Sequence, residues 1–520
     1  MNLTQHYIRV ENRLVHYRRS GNGPVLIMLH PSPGSGAMLQ PLVATLQNDF
    51  TCLALDTPGY GLSDALPIKP QNLGDYARAL AATLDALGLP QVLLYGQATG
   101  AQIAIEFAKL FPQRILHLVV DSAAYFSGKE VSRWIPKYFP VFKVRDDGSH
   151  LAWVWSATRE MATFFPWMVR SNAARFDRPL PPATALHNAA LDLLRAGSGW
   201  RDAYVHAFRK EIRGVFEGLS VPTSVVFWQD SALREYTWRI DDLRSPCVRL
   251  DSGIGFEARA ASIHETLRTA INKADSHSPA TQAPTSDSLL NKLSNDFSSA
   301  RWFVNTPAGA IHGRSGGFDH QINSNQGRSN NCTLVLHAPL GSSALELAHL
   351  DRLSVHGLAL CIDLPGHGET SILAEGNITE AHAQQTKTLK IALEACGFQP
   401  ARLIQKSFSI KYKHKNLFST KALTAFEAEP LPDLAARHDG THFLAAWHYV
   451  RDSYLWQPWC VREPSYAVSI KSLTAKKCHS RTVELLKVRA PQALQRELAL
   501  SDFNHCTPNH AALKISAKSI

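Results

Sequence analysis

The sequence predicts an α/β protein in which a parallel sheet lies under a helical cap and is followed by a second, partial copy of the same fold. Three observations carry this. Short, continuous apolar runs alternate with helical stretches over the first 120 or so residues. The alternation is then interrupted by a long segment rich in aromatic and helix-forming residues. Several landmarks of the first part return later in the chain in the same order, the first two of them at one shared offset.

Val25–Leu29 is a run of five apolar residues, as a strand buried on both faces requires. Phe50–Leu55, Gln91–Tyr95, Ile115–Val120 and Thr223–Trp228 read in the same way, with helices expected over Leu73–Gly88 and Ala101–Phe111 between them. Strand–helix alternation implies parallel strands joined by right-handed crossovers. Residues 125–218 read as the inserted cap. The expected division is a first domain over 1–271, a linker over 272–299 rich in Ser, Ala, Pro and Thr, and a partial second domain over 300–520. The polar stretch 313–331 reads as an extended loop inside the second copy.

The repeat is specific. Leu29-His30-Pro31-Ser32-Pro33-Gly34-Ser35 returns as Leu336-His337-Ala338-Pro339-Leu340-Gly341-Ser342. Asp56-Thr57-Pro58-Gly59-Tyr60-Gly61-Leu62-Ser63 returns as Asp363-Leu364-Pro365-Gly366-His367-Gly368-Glu369-Thr370 at the same offset. Further on, Arg145-Asp146-Asp147-Gly148-Ser149-His150 pairs with Arg437-His438-Asp439-Gly440-Thr441-His442, followed by Trp155 with Trp447 and Pro166-Trp167 with Pro458-Trp459.

The formal charge of +10 is basic but spread out, and its densest run, Lys406 to Lys415, reads as a solvated loop. Neither a nucleic-acid partner nor a membrane partner is expected: no binding motif surrounds that run, and no apolar stretch reaches the ~20 residues of a membrane helix. The N-terminus lacks the pattern of a signal peptide. The eight cysteines are scattered without a C-x-x-C pair, so neither a metal site nor a disulfide framework is expected, and the cytoplasm is the expected compartment. No cofactor is implied; the expected partner is a small-molecule substrate or ligand.

Gly96-Gln97-Ala98-Thr99-Gly100 has the G-x-S-x-G spacing of a sharp strand-to-helix turn, where glycines avoid clashes with neighbouring backbone. With His30–Gly34 after one strand and Asp56–Ser63 after the next, residues 1–270 resemble the α/β-hydrolases. The resemblance implies a nucleophile at Ala98, an acid after strand six or seven, and a histidine after strand eight. Alanine has no attacking atom, so the nucleophile position is inert. Asp121 and Asp230 are the candidate acids, and Phe256 stands where the histidine is expected; His264, further on, reads as a surface residue of a helix. The backbone near Ser32 and that of Thr99 would supply oxyanion donors, beside His30. The loss of nucleophile and histidine together points to divergence rather than to a single inactivating substitution.

In the second copy Ser407 returns at the nucleophile position, but Gln405 and Ser409 replace the flanking glycines and would crowd the turn. The motif around Asp147 and His150 is kept in both copies, with His442 as the counterpart histidine. One reading makes Asp147 and His150 a substitute acid–base pair or a substrate clamp. The other makes the motif a helix cap followed by an apolar face. Two functions follow: an enzyme acting on a small carbonyl or ester-like substrate by oxyanion stabilisation without a standard triad, or a non-catalytic binding or scaffold protein.

Overall fold

A computed structural model describes residues 3–275, 301–316, 331–338, 340–355, 358–373, 378–396, 399–405, 431–456, 459–467 and 473–489. The chain divides into two compact units, Met1–Lys143 with Ser156–Leu289, and Val144–Trp155 with Leu290–Ile520. The segment Val144–Trp155 thus belongs to the second unit although it lies within the stretch read as the first copy's cap.

In the first unit β1 (Thr4–Val10) and β2 (Arg13–Ser20) form an antiparallel hairpin. The alternation then runs β3 (Val25–Leu29), α1 (Gln40–Leu46), β4 (Thr51–Leu55), α2 (Leu73–Leu87), β5 (Val92–Gln97), α3 (Thr99–Leu110) and β6 (Ile115–Asp121). Four helices interrupt it: α4 (Gly128–Tyr138), α5 (Ser149–Thr163), α6 (Ala183–Ala196) and α7 (Asp202–Lys210). The sheet resumes with β7 (Thr223–Phe227), a short α8 (Arg234–Thr237), β8 (Cys247–Asp251) and α9 (Phe256–Asp275). The strands lie in the order β1-β2-β4-β3-β5-β6-β7-β8, parallel from β4 onward.

The apolar runs explain this burial. All five residues of β3 are buried, and alternate side chains serve opposite faces. Val25, Ile27 and Leu29 join the core with α2 and α3, while Leu26 and Met28 join the core with α1 and α9. Local signals fix the helix ends: Asn72 and Asp75 form a capping box at the start of α2, and Gly88 closes it in the left-handed region at φ 70°.

The second unit contains β9 (Trp302–Thr306), β10 (Gly309–Gly316), β11 (Asn331–Leu336), α10 (Leu347–Ser354), β12 (Ala359–Ile362), α11 (Ile378–Cys396), β13 (Gln399–Gln405), α12 (Thr441–Leu455) and α13 (Ala475–Leu486). Its sheet runs β13-β11-β12-β10-β9. Position for position this is the order β5-β3-β4-β2-β1, with β9, β10 and β12 antiparallel neighbours and β11 parallel to both β12 and β13. The bounds of the linker and of the loop in the second copy also differ from the sequence reading. Helix α9 continues to Asp275, into the stretch read as linker, because helix-forming residues extend past residue 271. Strand β10 reaches Gly316, shortening the expected loop. The basic run from Lys406 and the candidate Ser407 lie outside the described residues. Among the described residues no helix is long and apolar enough to cross a membrane.

One buried carboxylate ties the strand ends and loops together. Asp56 is 1 % exposed and accepts from His16 Nδ1 at 2.8 Å, Arg18 Nη1 at 2.9 Å, the Gly36 backbone at 2.7 Å and the Leu62 backbone at 2.8 Å. A Cβ on Gly61, at φ 55°, would overlap this carboxylate. Burial alone would raise the pKa of Asp56; Arg18 and His16 outweigh it and hold the group well below the usual carboxylate range. The second unit repeats the arrangement: Asp363 accepts from His312 Nδ1 at 2.7 Å and from the backbones of Ser343 and Glu369 at 2.6 and 3.0 Å, with Gly368 against it. Asp56→Asn strands Arg18 in the core, and removing one partner of such a buried pair costs roughly 3–5 kcal/mol. A large fall in the urea midpoint of the full chain is expected; a change worth less than ~1 kcal/mol, the scale of an exposed pair, would contradict this assignment.

Candidate active site

Ala98 stands alone between β5 and α3 with φ 48° and ψ −112°. A non-glycine residue there costs on the order of 1–3 kcal/mol and needs its surroundings to hold it. They do so: the Ala98 N–H donates to the Asp121 carbonyl at 2.9 Å, and the Ala98 carbonyl accepts from the Gln102 N–H at 3.1 Å. The flanking glycines are steric requirements. A Cβ on Gly96 would collide with the backbone of Gly100 and Ala101, and one on Gly100 with the carbonyls of Leu29 and His30. The turn therefore has the sharp shape that its spacing predicts. Thr99 begins α3, where backbone N–H groups lack intrahelical acceptors, and its buried Oγ1 has no hydrogen-bond partner.

The candidate acids fall in different environments. Asp121 ends β6, fully buried, and accepts from Tyr95 Oη at 2.7 Å, Ser122 Oγ at 3.0 Å and Arg259 Nη1 at 3.2 Å. The Arg259 guanidinium also stacks on Trp228, 4.2 Å from the ring centre. Its charge is thus balanced inside the core. Asp230 is exposed in the loop after β7 and accepts from the Gly255 N–H at 2.7 Å, which joins this loop to the one after β8. Phe256 follows directly, as the first residue of α9. His264 lies two turns further along that helix and bonds Asp49 at 2.6 Å.

Both ring nitrogens of buried His30 are used locally. Nδ1–H donates to the Pro31 carbonyl at 2.9 Å, and Nε2 accepts from the Thr57 N–H at 3.0 Å. His30 therefore pins the loop after β3 to the loop after β4, and burial holds its pKa below the ordinary histidine value. Ser32, partly buried, lies in the first of these loops. The sequence reading missed the next link, in which Ser35 Oγ donates to Asp192 of α6 at 2.8 Å and Arg195 pairs with Asp192 at 3.1 Å. Burial raises the pKa of Asp192. In the second unit Ser342 donates to Glu484 at 2.6 Å and Lys487 pairs with Glu484 at 2.7 Å. A signal was present: Leu191-Asp192-Leu193-Leu194-Arg195 and Val483-Glu484-Leu485-Leu486-Lys487 lie at the offset that relates His150 to His442.

Residues 24–192 match the family model of the alpha/beta hydrolase fold. That segment, about a third of the chain, is similar to the α/β-hydrolase superfamily. It is similar to the 2-(acetamidomethylene)succinate hydrolase of Mesorhizobium japonicum, 30 % identical over 112 residues, 21 % of this chain and 40 % of that protein. The 2-hydroxy-6-oxo-6-phenylhexa-2,4-dienoate hydrolase of Comamonas testosteroni is 30 % identical over 111 residues, 21 % of this chain and 39 % of that enzyme. Haloalkane dehalogenase 2 of Mycobacterium bovis is 27 % identical over 112 residues, covering 22 % and 39 %. The chain spans about two-fifths of the length of these relatives.

The remaining candidates of the α/β-hydrolase segment lie in the part that counts with the second unit. Asp147 accepts from the Ser149 N–H at 2.9 Å in the turn that leads into α5, and Asp439 accepts from the Thr441 N–H at 3.0 Å in the turn that leads into α12. The Arg145 N–H donates to His150 Nδ1 at 3.2 Å, which leaves Nε2 protonated to donate to His479 Nδ1 at 3.1 Å. Among the described residues no group of three His, Cys, Asp or Glu side chains could hold a metal ion.

Burial first, and His479 second, push the pKa of His150 down to about 4; burial alone brings His479 to about 4. Burial also lowers His117 and His367 to about 4. The unfolded chain protonates these groups near their ordinary value of 6.5, before the folded chain does. Their contribution to stability is therefore complete above about pH 6.5 and falls away as the pH drops toward about 4. The urea midpoint should be lower at pH 5 than at pH 7.5; an equal or higher midpoint at pH 5 would show that these imidazoles are not held neutral.

Proposed function

We propose that the α/β-hydrolase segment is a small-molecule-binding relative of the hydrolases that performs no covalent turnover, joined to a partial, degenerate second copy of itself. The observation that carries this reading is Ala98 at the apex of an intact elbow: the backbone is held at φ 48° and the attacking atom is gone. Phe256 opens α9 where a general base would be needed, and Asp121 is engaged by Arg259 and Tyr95. No proton transfer is assigned to His150 or its counterpart His442, because both nitrogens of His150 are hydrogen bonded. The start of α3, with the buried hydroxyl of Thr99, and the backbone near Ser32 favour a carbonyl or ester oxygen as the bound group. The duplication is supported by the repeated landmarks, the matching strand order, and the shared wiring of Asp56 with Asp363 and of Ser35 with Ser342.

A second reading, turnover without a standard triad, is favoured by Asp230, a candidate acid kept in the loop after β7. A panel of p-nitrophenyl esters separates the two. Serine without a base to take its proton is a poor nucleophile at neutral pH. In subtilisin, losing serine or histidine alone costs about as much as losing the whole triad, roughly 10⁶-fold. Ala98→Ser alone should therefore gain no ester hydrolysis, and any gain should require Phe256→His as well. Saturable turnover by the unaltered chain or by Ala98→Ser alone would overturn the silent-site reading.

A further inference from the structure

The motif kept in both copies makes reciprocal contacts within the second unit. Gly148, at φ 78°, lies against the indole of Trp447 so closely that a Cβ would overlap the ring. Gly440, at φ 75°, lies against the indole of Trp155 in the same way. His150 stands edge-on to Trp447, with ring centres 5.2 Å apart and planes at 85°. His442 stands edge-on to Trp155 at 4.9 Å and 87°. Each histidine takes the same internal hydrogen bond, from the backbone of Arg145 or Arg437. The Trp155 Nε1–H also donates to the His438 carbonyl at 3.1 Å, clamping the opposite turn.

In this arrangement residue i of one motif meets residue j of the other, and j of the first meets i of the second. That is the defining property of an isologous contact, in which one surface patch recognises a copy of itself about a two-fold axis. We infer that the Arg-x-Asp-Gly-Ser/Thr-His motif with its following tryptophan is a self-recognition element whose partner is a second copy of the same motif, here supplied by the same chain. Glycine is needed twice over: its φ is in the left-handed region, and the partner's indole occupies the place of a side chain. The histidine is needed because it fits edge-on to that indole and ties down its own turn. This gives the motif a reason to persist in both copies that does not involve catalysis. The inference rests on the proposed duplication and not on the silence of the elbow; ester turnover would leave it standing.

The full-length chain tests it by crossed double-mutant cycles. Gly148→Ala and Gly440→Ala should each lower the urea midpoint, and so should Trp447→Ala and Trp155→Ala, whose indoles are buried. The loss in Gly148→Ala should be smaller in a Trp447→Ala background and unchanged in a Trp155→Ala background, with the reverse for Gly440→Ala. Additive effects in the matched pairs, or equal coupling in matched and crossed pairs, would overturn the inference. If the glycine variants do not fold, the histidine ring protons in NMR spectra give an independent reading. Those of His150 should lose their ring-current displacement in Trp447→Ala and keep it in Trp155→Ala, with the reverse for His442. Displacement of both histidines by the same tryptophan variant would equally refute reciprocity.

Discussion

The carboxylate of Asp56 holds together the parts of the first unit from which everything else is suspended. It is taken out of water at the end of β4 and is tolerated there because four donors converge on it. Two come from β2, one from the loop after β3, and one from the turn that Gly61 makes possible. The loop after β3 carries Ser32 and, through Ser35, reaches Asp192 on α6. A single buried charge therefore joins the hairpin to the loops after β3 and β4. Its counterpart Asp363 holds the same loops in the second unit through His312, which stands where His16 does, and the backbones of Ser343 and Glu369.

These landmarks are requirements of backbone geometry, whatever chemistry the site performs. The D-x-P-G-x-G pattern and the glycines of the elbow serve backbone geometry: Gly100 lets α3 approach the carbonyl of Leu29, and Gly96 leaves room for the first turn of that helix. None of these functions needs a nucleophile. Ala98 holds its strained φ and its two backbone hydrogen bonds with a methyl side chain that takes no part in either. The fold and the reaction are separable at this point because the backbone carries the first and one side-chain atom carries the second.

The strands were legible because burial on both faces demands unbroken apolar runs; β3 matches its run from end to end, and β4, β6 and β7 differ from theirs by a residue. The elbow was legible because two glycines at fixed spacing mark a steric necessity. What stayed hidden were pairings between distant positions: Arg259 with Asp121, Ser35 with Asp192, and His150 with His479. Such contacts join residues 138, 157 and 329 positions apart, and no local periodicity announces them. Asp121 shows the consequence. Its place after β6 fits a catalytic acid, and only the fold reveals that an arginine from α9 and a tyrosine from β5 engage it. The repeated motif was legible as a pattern, but its reciprocal packing required both copies in one frame.

The most direct measurement of whether the elbow has lost its chemistry is treatment of the unaltered full-length protein with a fluorophosphonate probe, followed by peptide mass spectrometry. The probe reports a nucleophilic serine wherever it stands and needs no knowledge of the substrate. With Ala98 at the apex and Phe256 in place of a base, no serine should be labelled above the level of the unfolded chain. Stoichiometric labelling of any serine, Ser32 and Ser407 foremost, would contradict the silent-site reading and restore a hydrolase.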